Sequence, residues 1–300
     1  MVPVDDVKPA FWKVWLMAAR PKTLPAGIVP VVVAGVIAYG DGGFHLWSFL
    51  AALFGSIMIQ VGANYANDLF DYLKRTDTSD RIGPLRVTQA GLATPKQTAS
   101  AAIIVFSLAA AAGLFLVYRG GWPIVIIGLA SIACGILYTA GPVALGYIGV
   151  ADVFVLIFFG PVALAGTYYV QTLQLSWFVI LAGVPFGMIS TAILAVNNLR
   201  DVESDKKGGK KTLAVRFGRT FARFEYLIML IGAAAVAAVI VVLGARSAFL
   251  LLAIAYLLPA LPVIRDIFTT TDGEKLNDAL AATGRLLIIY GLLFSAGWLM

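Results

Sequence analysis

Long apolar stretches dominate this sequence and limit what it can fold into. Hydrophobic residues fill 60% of its 300 positions and charged residues only 13%, a composition that soluble globular domains do not have. A helix that crosses a membrane needs about 20 predominantly apolar residues. Nine stretches approach or exceed that length: 24–40, 46–66, 98–118, 122–140, 148–170, 176–197, 221–244, 247–264 and 282–300. The sequence therefore predicts an all-α polytopic membrane protein with nine transmembrane helices, organised as one membrane domain over residues 1–300.

The distribution of basic residues indicates how the chain crosses the membrane. With the N-terminus in the cytoplasm, 20 of the 22 Lys and Arg residues fall in cytoplasmic segments, and only Arg119 and Arg246 fall outside. This asymmetry follows the positive-inside rule, and after nine spans it places the C-terminus outside. It also accounts for the net charge of +6 without a nucleic-acid partner. Segment 1–22 carries Trp and Lys at spacings typical of an interfacial helix, which we expect over Phe11–Ala19.

Two predicted spans end in similar motifs of amides and carboxylates, each at the start of a long cytoplasmic loop, 67–97 or 199–220. The first motif contains Asn64, Asn67, Asp68 and Asp71, and the second contains Asn197, Asn198, Asp201 and Asp205. In each motif the spacing places two carboxylates and an amide on one helical face. Such groups are costly at the end of a membrane helix unless they bind something, and oxygen ligands suit a hard cation such as Mg²⁺ that bridges to phosphate. An even number of predicted spans separates the motifs, so we expect two halves of one cytoplasmic site.

Basic residues follow both motifs in the sequence. Arg81 and Arg86 lie in the first loop, and Lys206 lies in a lysine-rich run of the second. A diphosphate could be held by Mg²⁺ on one side and by these cations on the other. The alternative, that cytoplasmic loops of any membrane protein are basic, stays open from the residues alone.

Two more polar residues lie at the cytoplasmic ends of predicted spans and are candidates for a catalytic role. Asp152 lies at the inside end of the fifth span, where a carboxylate is either functional or an interfacial group that reaches water. Tyr138 ends the fourth span, where tyrosine is also common as an interfacial anchor.

Several stretches together resemble a known family. They are Arg20-Pro-Lys-Thr-Leu-Pro25, Gln60-Val-Gly-Ala-Asn-Tyr-Ala-Asn-Asp68, Arg81-Ile-Gly-Pro-Leu-Arg86-Val-Thr88, Tyr138-Thr-Ala-Gly-Pro142, Asn197-Asn-Leu-Arg-Asp201 and Lys211-Thr-Leu-Ala-Val-Arg216. They resemble the UbiA superfamily of intramembrane prenyltransferases, and within it the 1,4-dihydroxy-2-naphthoate polyprenyltransferases of the MenA type. The resemblance implies a helical bundle around a central cavity that opens to the cytoplasmic side of the cytoplasmic (inner) membrane.

The resemblance also implies the reaction and the roles of residues. A polyprenyl group would pass from polyprenyl diphosphate to 1,4-dihydroxy-2-naphthoate with loss of CO2 and diphosphate, giving demethylmenaquinol for menaquinone biosynthesis. Mg²⁺ would be held by Asp68, Asp71, Asp201 and Asp205. Diphosphate or the aromatic acid would be bound by Asn64, Asn67, Asn197, Asn198, Lys22, Arg81, Arg86 and Lys206. Asp152 would lie near the aromatic ring as a proton acceptor. The resemblance does not imply an obligatory protein partner.

Three alternatives remain beside this interpretation. The first is a different aromatic acceptor. Relatives that act on 4-hydroxybenzoate tend to carry a basic pair after the tyrosine of the fourth span, whereas the segment Pro142-Val-Ala-Leu-Gly146 has no basic residue. This difference disfavours hydroxybenzoate as the acceptor and leaves other aromatic acceptors open. An ion-coupled transporter would place its acidic residues near the membrane midplane, where the predicted spans carry none. A CDP-alcohol phosphotransferase would need a dense Asp-Gly motif that the sequence lacks. Prenyl chain length, the anchor of the aromatic carboxylate, the general base and the oligomeric state stay undetermined.

Overall fold

The structure, a computed structural model, describes residues 9–76, 83 and 85–300, and Arg81 lies outside them. Within these residues all regular secondary structure is helical. The α-helices are α1 (Phe11–Ala19), α2 (Leu24–Gly40), α3 (Leu46–Leu73), α4 (Pro95–Gly120), α5 (Trp122–Leu137), α6 (Ala151–Ile157), α7 (Ala163–Thr172), α8 (Trp177–Lys207), α9 (Leu213–Val242), α10 (Leu257–Thr269) and α11 (Gly273–Leu299). Short 3₁₀ segments cover Pro21–Thr23 and Ala248–Tyr256, and a π-helical segment covers Phe158–Val162.

The helices confirm an all-α polytopic membrane architecture. Among the described residues, eight helical stretches are long and apolar enough to cross a membrane. The fourth predicted span corresponds to α5, which is apolar but only 16 residues long, shorter than the usual span of about 20. In the part of the chain that the structure describes, eight candidate spans and this one shorter apolar helix correspond to the nine spans that the sequence predicted.

The predicted N-terminal helix is present as α1 and packs against α3. The hydroxyl of Tyr65 donates to the carbonyl of Trp15 at 3.2 Å, and the two rings lie 5.5 Å apart. The helix ends where Arg20 adopts a left-handed backbone conformation, with a φ of 52°, immediately before Pro21. This turn brings Arg20 to the start of α2, at the edge of the interior cavity.

Both acidic motifs are helical, because α3 and α8 continue past the predicted ends of their spans. Helix α3 extends to Leu73 and α8 extends to Lys207, so each takes up the beginning of a predicted loop. The next helix, α9, begins at Leu213, where the Thr212 hydroxyl accepts a hydrogen bond from the backbone N–H of Val215. The second connection is therefore a short turn that holds Lys210 next to the motif.

Helix α8 is the central element of the larger core and packs against α9, α11 and the kinked α6–α7 pair. The kink lies at Gly160 and Pro161, and it crosses α8 at Gly183 and Gly187. A Cβ added at Gly160 would lie 2.8 Å from the Gly183 carbonyl oxygen, so only glycine permits this approach. Helices α3, α4 and α5 pack together as a second group. The cavity lies between the two groups.

Candidate functional site

The cavity has a volume of about 560 Å³ and differs in chemistry from end to end. Along α3 it is lined from Ala52 to Asp71, a rise of about 28 Å at 1.5 Å per residue. That length approaches the roughly 30 Å thickness of a bilayer's hydrocarbon core. The end near Asp71 collects charged and amide side chains, whereas α4 and α5 contribute mostly apolar residues and glycines to the rest.

Three residues of the first motif face the cavity: Asn64, Asn67 and Asp71. The side-chain amide of Asn64 donates to the Ala19 carbonyl at 2.9 Å and so fixes the turn between α1 and α2. The hydroxyl of Thr139 donates to Oδ1 of Asn67, which ties the end of α5 to α3. Both amides therefore line the cavity and also connect α3 to neighbouring segments at its charged end.

Asp71 is the buried centre of a polar network. Its Oδ2 accepts from Arg86 at 2.5 Å, and its Oδ1 accepts from the hydroxyl of Tyr147 at 2.5 Å. The side chain is 1% exposed. A carboxylate this deeply buried needs charged or hydrogen-bonding partners, and Arg86 and Tyr147 supply them.

Asp68, which the sequence predicts as a metal ligand, has a different contact in the structure. Its carboxylate accepts from the backbone N–H groups of Val87 and Thr88 at 2.9 and 3.2 Å, and it is not among the residues that line the cavity. Asp68 lies about 60° around the helix from Asp71, and the loop after α3 passes this side of the helix and presents the backbone of Val87 and Thr88 to it. Asp68 thus anchors the segment that carries Arg86.

The second motif presents all four of its predicted residues, Asn197, Asn198, Asp201 and Asp205, to the cavity. Asp201 is held by a two-pronged contact from Arg200, whose Nε and Nη2 lie 2.8 and 2.6 Å from its two oxygens. The same guanidinium donates to Oδ1 of Asn197 at 2.7 Å and to Oδ1 of Asn277 in α11 at 2.6 Å. Arg200 was not predicted, although its place beside Asp201 in the motif was a visible signal.

The two motifs meet at Lys210. Its Nζ lies 3.4 Å from Oδ1 of Asp205 and 3.9 Å from Oδ1 of Asp71, and it stands 5.1 Å from the centre of the Tyr147 ring. Lys74 approaches the same ring at 4.6 Å and donates to the backbone carbonyls after α5. Burial lowers the pKa of the Lys74 ammonium, Asp71 opposes that change, and Lys210 adds to it.

The other residues predicted for the site differ in whether they line the cavity. Tyr138 lines the cavity, and Arg86 lines it through its contact with Asp71. Lys22 and Lys206 are exposed and lie outside the cavity lining. Arg81 falls outside the described residues, so its predicted role is untouched by the geometry. The cavity instead takes Arg20 and Lys210, neither of which was selected from the sequence.

Asp152 is buried behind the cavity wall rather than facing the cavity. Its backbone carbonyl accepts from the hydroxyl of Thr191, near the middle of α8, and its carboxyl neighbours that of Glu225 in α9. The apolar helical stretch that contains Asp152 begins at Ala151, close to the predicted start of the fifth span, and this end of α6 packs against the middle of α8. Glu225 was missed because it follows Arg223 at the start of an apolar run and resembles an ordinary helix-end charge.

The described residues, 9–76, 83 and 85–300, hold no cluster of three or more His, Cys, Asp or Glu side chains that could bind a metal ion by themselves. The closest arrangement is the pair of Asp71 and Asp205, which both approach the Lys210 ammonium, with Asp201 also on the cavity wall. Two carboxylates that converge on one cation are suited to a divalent metal whose remaining ligands come from a substrate phosphate.

Comparison with known proteins gives consistent matches. Residues 28–296 match the model of the UbiA prenyltransferase family. A 1,4-dihydroxy-2-naphthoate octaprenyltransferase of Mycobacterium tuberculosis is 36% identical over 93% of this chain and 94% of its own. Another, from Escherichia coli, is 39% identical over 73% of each chain. Among solved structures, a UbiA homolog from Archaeoglobus fulgidus bound to GPP and Mg²⁺ shares the fold, with a TM-score of 0.68 and 15% identity over 94% of this chain and 99% of that one.

Proposed function

Because this chain belongs to the UbiA prenyltransferase family, we propose that its cavity is where a polyprenyl group passes from polyprenyl diphosphate to 1,4-dihydroxy-2-naphthoate. The reaction releases CO2 and diphosphate and gives demethylmenaquinol, a step of menaquinone biosynthesis. The chain is an integral membrane enzyme that transfers alkyl groups. One observation carries the assignment of the site: a single cavity, lined over about 28 Å along α3, joins a charged end to an apolar tunnel.

The charged end suits the diphosphate. Arg86 and Lys210 supply two cations at the cavity wall, next to the carboxylates of Asp71 and Asp205. Cations at this point bind diphosphate oxygens and stabilise the negative charge that grows as the allylic C–O bond breaks. Arg20, at the turn before α2, adds a third cation to the same end.

The carboxylates suit a divalent metal, which we propose to be Mg²⁺. Asp71, Asp201 and Asp205 face the cavity from two helices and would hold it, while Asp68 fixes the segment that carries Arg86. When bound, Mg²⁺ neutralises the leaving diphosphate and so lowers the barrier to its departure. Asn64, Asn67 and their counterparts in α8 complete the polar end of the site.

The apolar tunnel suits the prenyl chain. Its walls from α4 and α5 lack charged side chains among the lining residues, so they match a hydrocarbon tail that is insoluble in water. A dry wall also keeps water away from the allylic cation at the moment of transfer. The basic residue distribution supports an arrangement in the cytoplasmic (inner) membrane with the N-terminus and the charged end in the cytoplasm and the C-terminus outside.

The acceptor ring enters from the charged end and meets Tyr138 on the cavity wall. Its electron-rich carbon bearing the carboxylate attacks the prenyl cation, and CO2 leaves as the ring regains aromaticity. Asp152 is not part of the proposed site, because its carboxyl lies behind the wall beside Glu225.

The test is an assay of the purified protein in lipid nanodiscs with 1,4-dihydroxy-2-naphthoate labelled in its carboxylate, a polyprenyl diphosphate and Mg²⁺. We expect labelled CO2 to be released in step with diphosphate, and both to stop with EDTA or in Asp71→Asn and Asp205→Asn. Asp278→Asn is the matched control, since this exposed carboxylate lies away from the cavity and should leave turnover intact. Prenylation of a different acceptor without CO2 release would overturn the substrate, and no metal-dependent turnover with any acceptor would overturn the mechanism.

A further inference from the structure

A hydroxyl without a partner lies on the cavity wall formed by α8. Ser190 is only 3% exposed, it lines the cavity, and its Oγ has no hydrogen-bond partner among the described residues. Serine and threonine in helices commonly donate to the carbonyl four residues earlier. The neighbouring Thr191 does so, to Gly187 at 2.9 Å, and also contacts the carbonyl of Asp152. Ser190 forgoes that bond, which leaves its hydroxyl available to a molecule in the cavity.

Ser190 belongs to a row of side chains along one face of α8. The row continues with Ile193 and Leu194 and then with Asn197 and Asn198, at the helical spacings i+3, i+4, i+7 and i+8. Polar groups thus stand at both ends of a short apolar interval. Between Ser190 and Asn197 the helix rises by about 10.5 Å.

The asparagines at the lower end can serve as donors. The Oδ1 atom of Asn197 is occupied by Arg200 at 2.7 Å, which leaves its Nδ2 group as the donor side of the amide. Asn198 is 5% exposed and also faces the cavity. The α8 wall therefore offers hydrogen-bonding groups at two levels along the helix, Ser190 at one and the asparagines at the other. The apolar surface between them suits the face of an aromatic ring.

The cavity wall formed by α4 and α5 is less polar than the wall formed by α8. Helices α4 and α5 line the cavity there mainly with apolar side chains such as Leu114, Val117 and Ile132. A prenyl chain forms no hydrogen bonds and has no use for a buried hydroxyl, whereas an aromatic diol has oxygen atoms on both sides of its ring. Two para hydroxyls extended by one hydrogen bond at each end span roughly 11 Å, since each O–H···O bond adds about 2.7 Å. This is close to the backbone rise between Ser190 and Asn197 along α8.

We propose that Ser190 determines acceptor specificity by hydrogen-bonding the 4-hydroxyl of the dihydroxynaphthoate, while the 1-hydroxyl and carboxylate face Asn197 and Asn198. The inference rests on the proposed function, because it assigns a position to that acceptor. It orients the carbon bearing the carboxylate toward the charged end, where the prenyl diphosphate reacts. It also places the ring against α8 and leaves the α4–α5 wall to the tail.

The test compares two aromatic ligands in wild type and Ser190→Ala. We expect the KM for 1,4-dihydroxy-2-naphthoate to rise about tenfold in Ser190→Ala, while the KM for polyprenyl diphosphate stays the same. The analogue 1-hydroxy-2-naphthoate, used as a competing ligand, lacks the 4-hydroxyl, so its Ki should be equal in the two proteins. Ser190→Thr keeps a hydroxyl and should retain most of the wild-type affinity. Thr191→Val is the matched control, because its hydroxyl bonds backbone behind the wall and should not affect the acceptor.

The outcomes separate the two proposals. If wild type does not consume dihydroxynaphthoate, the proposed function fails. If wild type does, but Ser190→Ala leaves its KM unchanged or weakens both aromatic ligands equally, only the role of Ser190 fails. Should Ser190→Ala not fold, Ser190→Cys carries the same test, since a thiol of similar size is a much weaker hydrogen-bonding group.

Discussion

The Nζ atom of Lys210 lies 3.4 Å from Oδ1 of Asp205, in the gap between two acidic motifs that belong to different helices. The same atom lies 3.9 Å from Oδ1 of Asp71. A divalent cation and this ammonium compete for the same carboxylates, because both are attracted by the same concentrated negative charge. With a metal held by Asp71 and Asp205, the Lys210 ammonium would remain at the cavity wall as a cation for the diphosphate.

This relationship predicts opposite effects of Lys210→Met on two ligands. Binding of Mn²⁺ alone should tighten about fivefold, since an ion pair worth roughly 1 kcal/mol no longer has to be broken. The KM for polyprenyl diphosphate should rise, because one cation at the diphosphate end is lost. Titration followed by electron paramagnetic resonance measures the first effect, and steady-state kinetics measures the second. Lys211→Met removes an equal charge from an exposed neighbour and should change neither Mn²⁺ affinity nor the KM for polyprenyl diphosphate. If both variants bound Mn²⁺ more tightly, the cause would be the lower net charge of the protein and not the loss of the Lys210 ion pairs.

A graded series at Tyr147 separates its hydroxyl from its ring. Tyr147→Phe removes the hydrogen bond to Asp71 but keeps the face that contacts Lys74 and Lys210. A hydrogen bond to a charged group contributes about 1.5–3 kcal/mol, so kcat/KM should fall by about tenfold or more. Tyr147→Leu also removes the aromatic face, and we expect a further loss of about fivefold from the two cation–π contacts. Equal kinetics for the two variants would show that the ring does not position the lysines.

Much of the fold was predictable, because membrane spans depend on length and hydropathy alone. The apolar runs gave the helices and their order, and the break before Pro21 gave the separate helix α1. The close contact between the α6–α7 kink and α8 was not predictable. It forms because Gly160, Gly183 and Gly187 allow two helices to touch, and glycine contacts between distant segments leave no periodic pattern in a sequence.

The candidate site was also predictable only in part. Helical spacing and the even number of spans between the motifs predicted Asp71 and Asp205 on one side of the membrane, and both residues line the same cavity in the structure. Spacing could not show that Asp68 turns to the backbone of Val87 and Thr88, because that depends on the path of a loop. It also could not select Lys210 from four nearby lysines, since the choice depends on how the turn after α8 folds back.

The crossing of α6 and α8 predicts a stability effect at Gly187. A Cβ at this position would meet the carbonyl oxygen of Leu156, which is backbone and cannot move aside like a flexible side chain. Gly187→Ala should therefore destabilise the protein by about 1–3 kcal/mol, as overpacking of a core does. Thermal unfolding in detergent measures the change. Gly113→Ala is the control, because an added Cβ meets no atom within 4 Å and should be neutral or slightly stabilising. Equal melting temperatures for both variants would contradict the close crossing.

The tunnel along α5 predicts a change of donor chain length at Gly128. This residue lines the cavity about 15 Å from Tyr138 along the helix, and a Cβ there meets no atom within 4 Å. Gly128→Phe should place a ring across the path of a long tail and leave room for a short one. We expect kcat/KM for octaprenyl diphosphate to fall about 100-fold, or ~2.7 kcal/mol, with little change for geranyl diphosphate. Gly128→Ala adds one carbon and should accept both donors. If Gly128→Phe uses both donors as well as wild type does, the tail follows another wall.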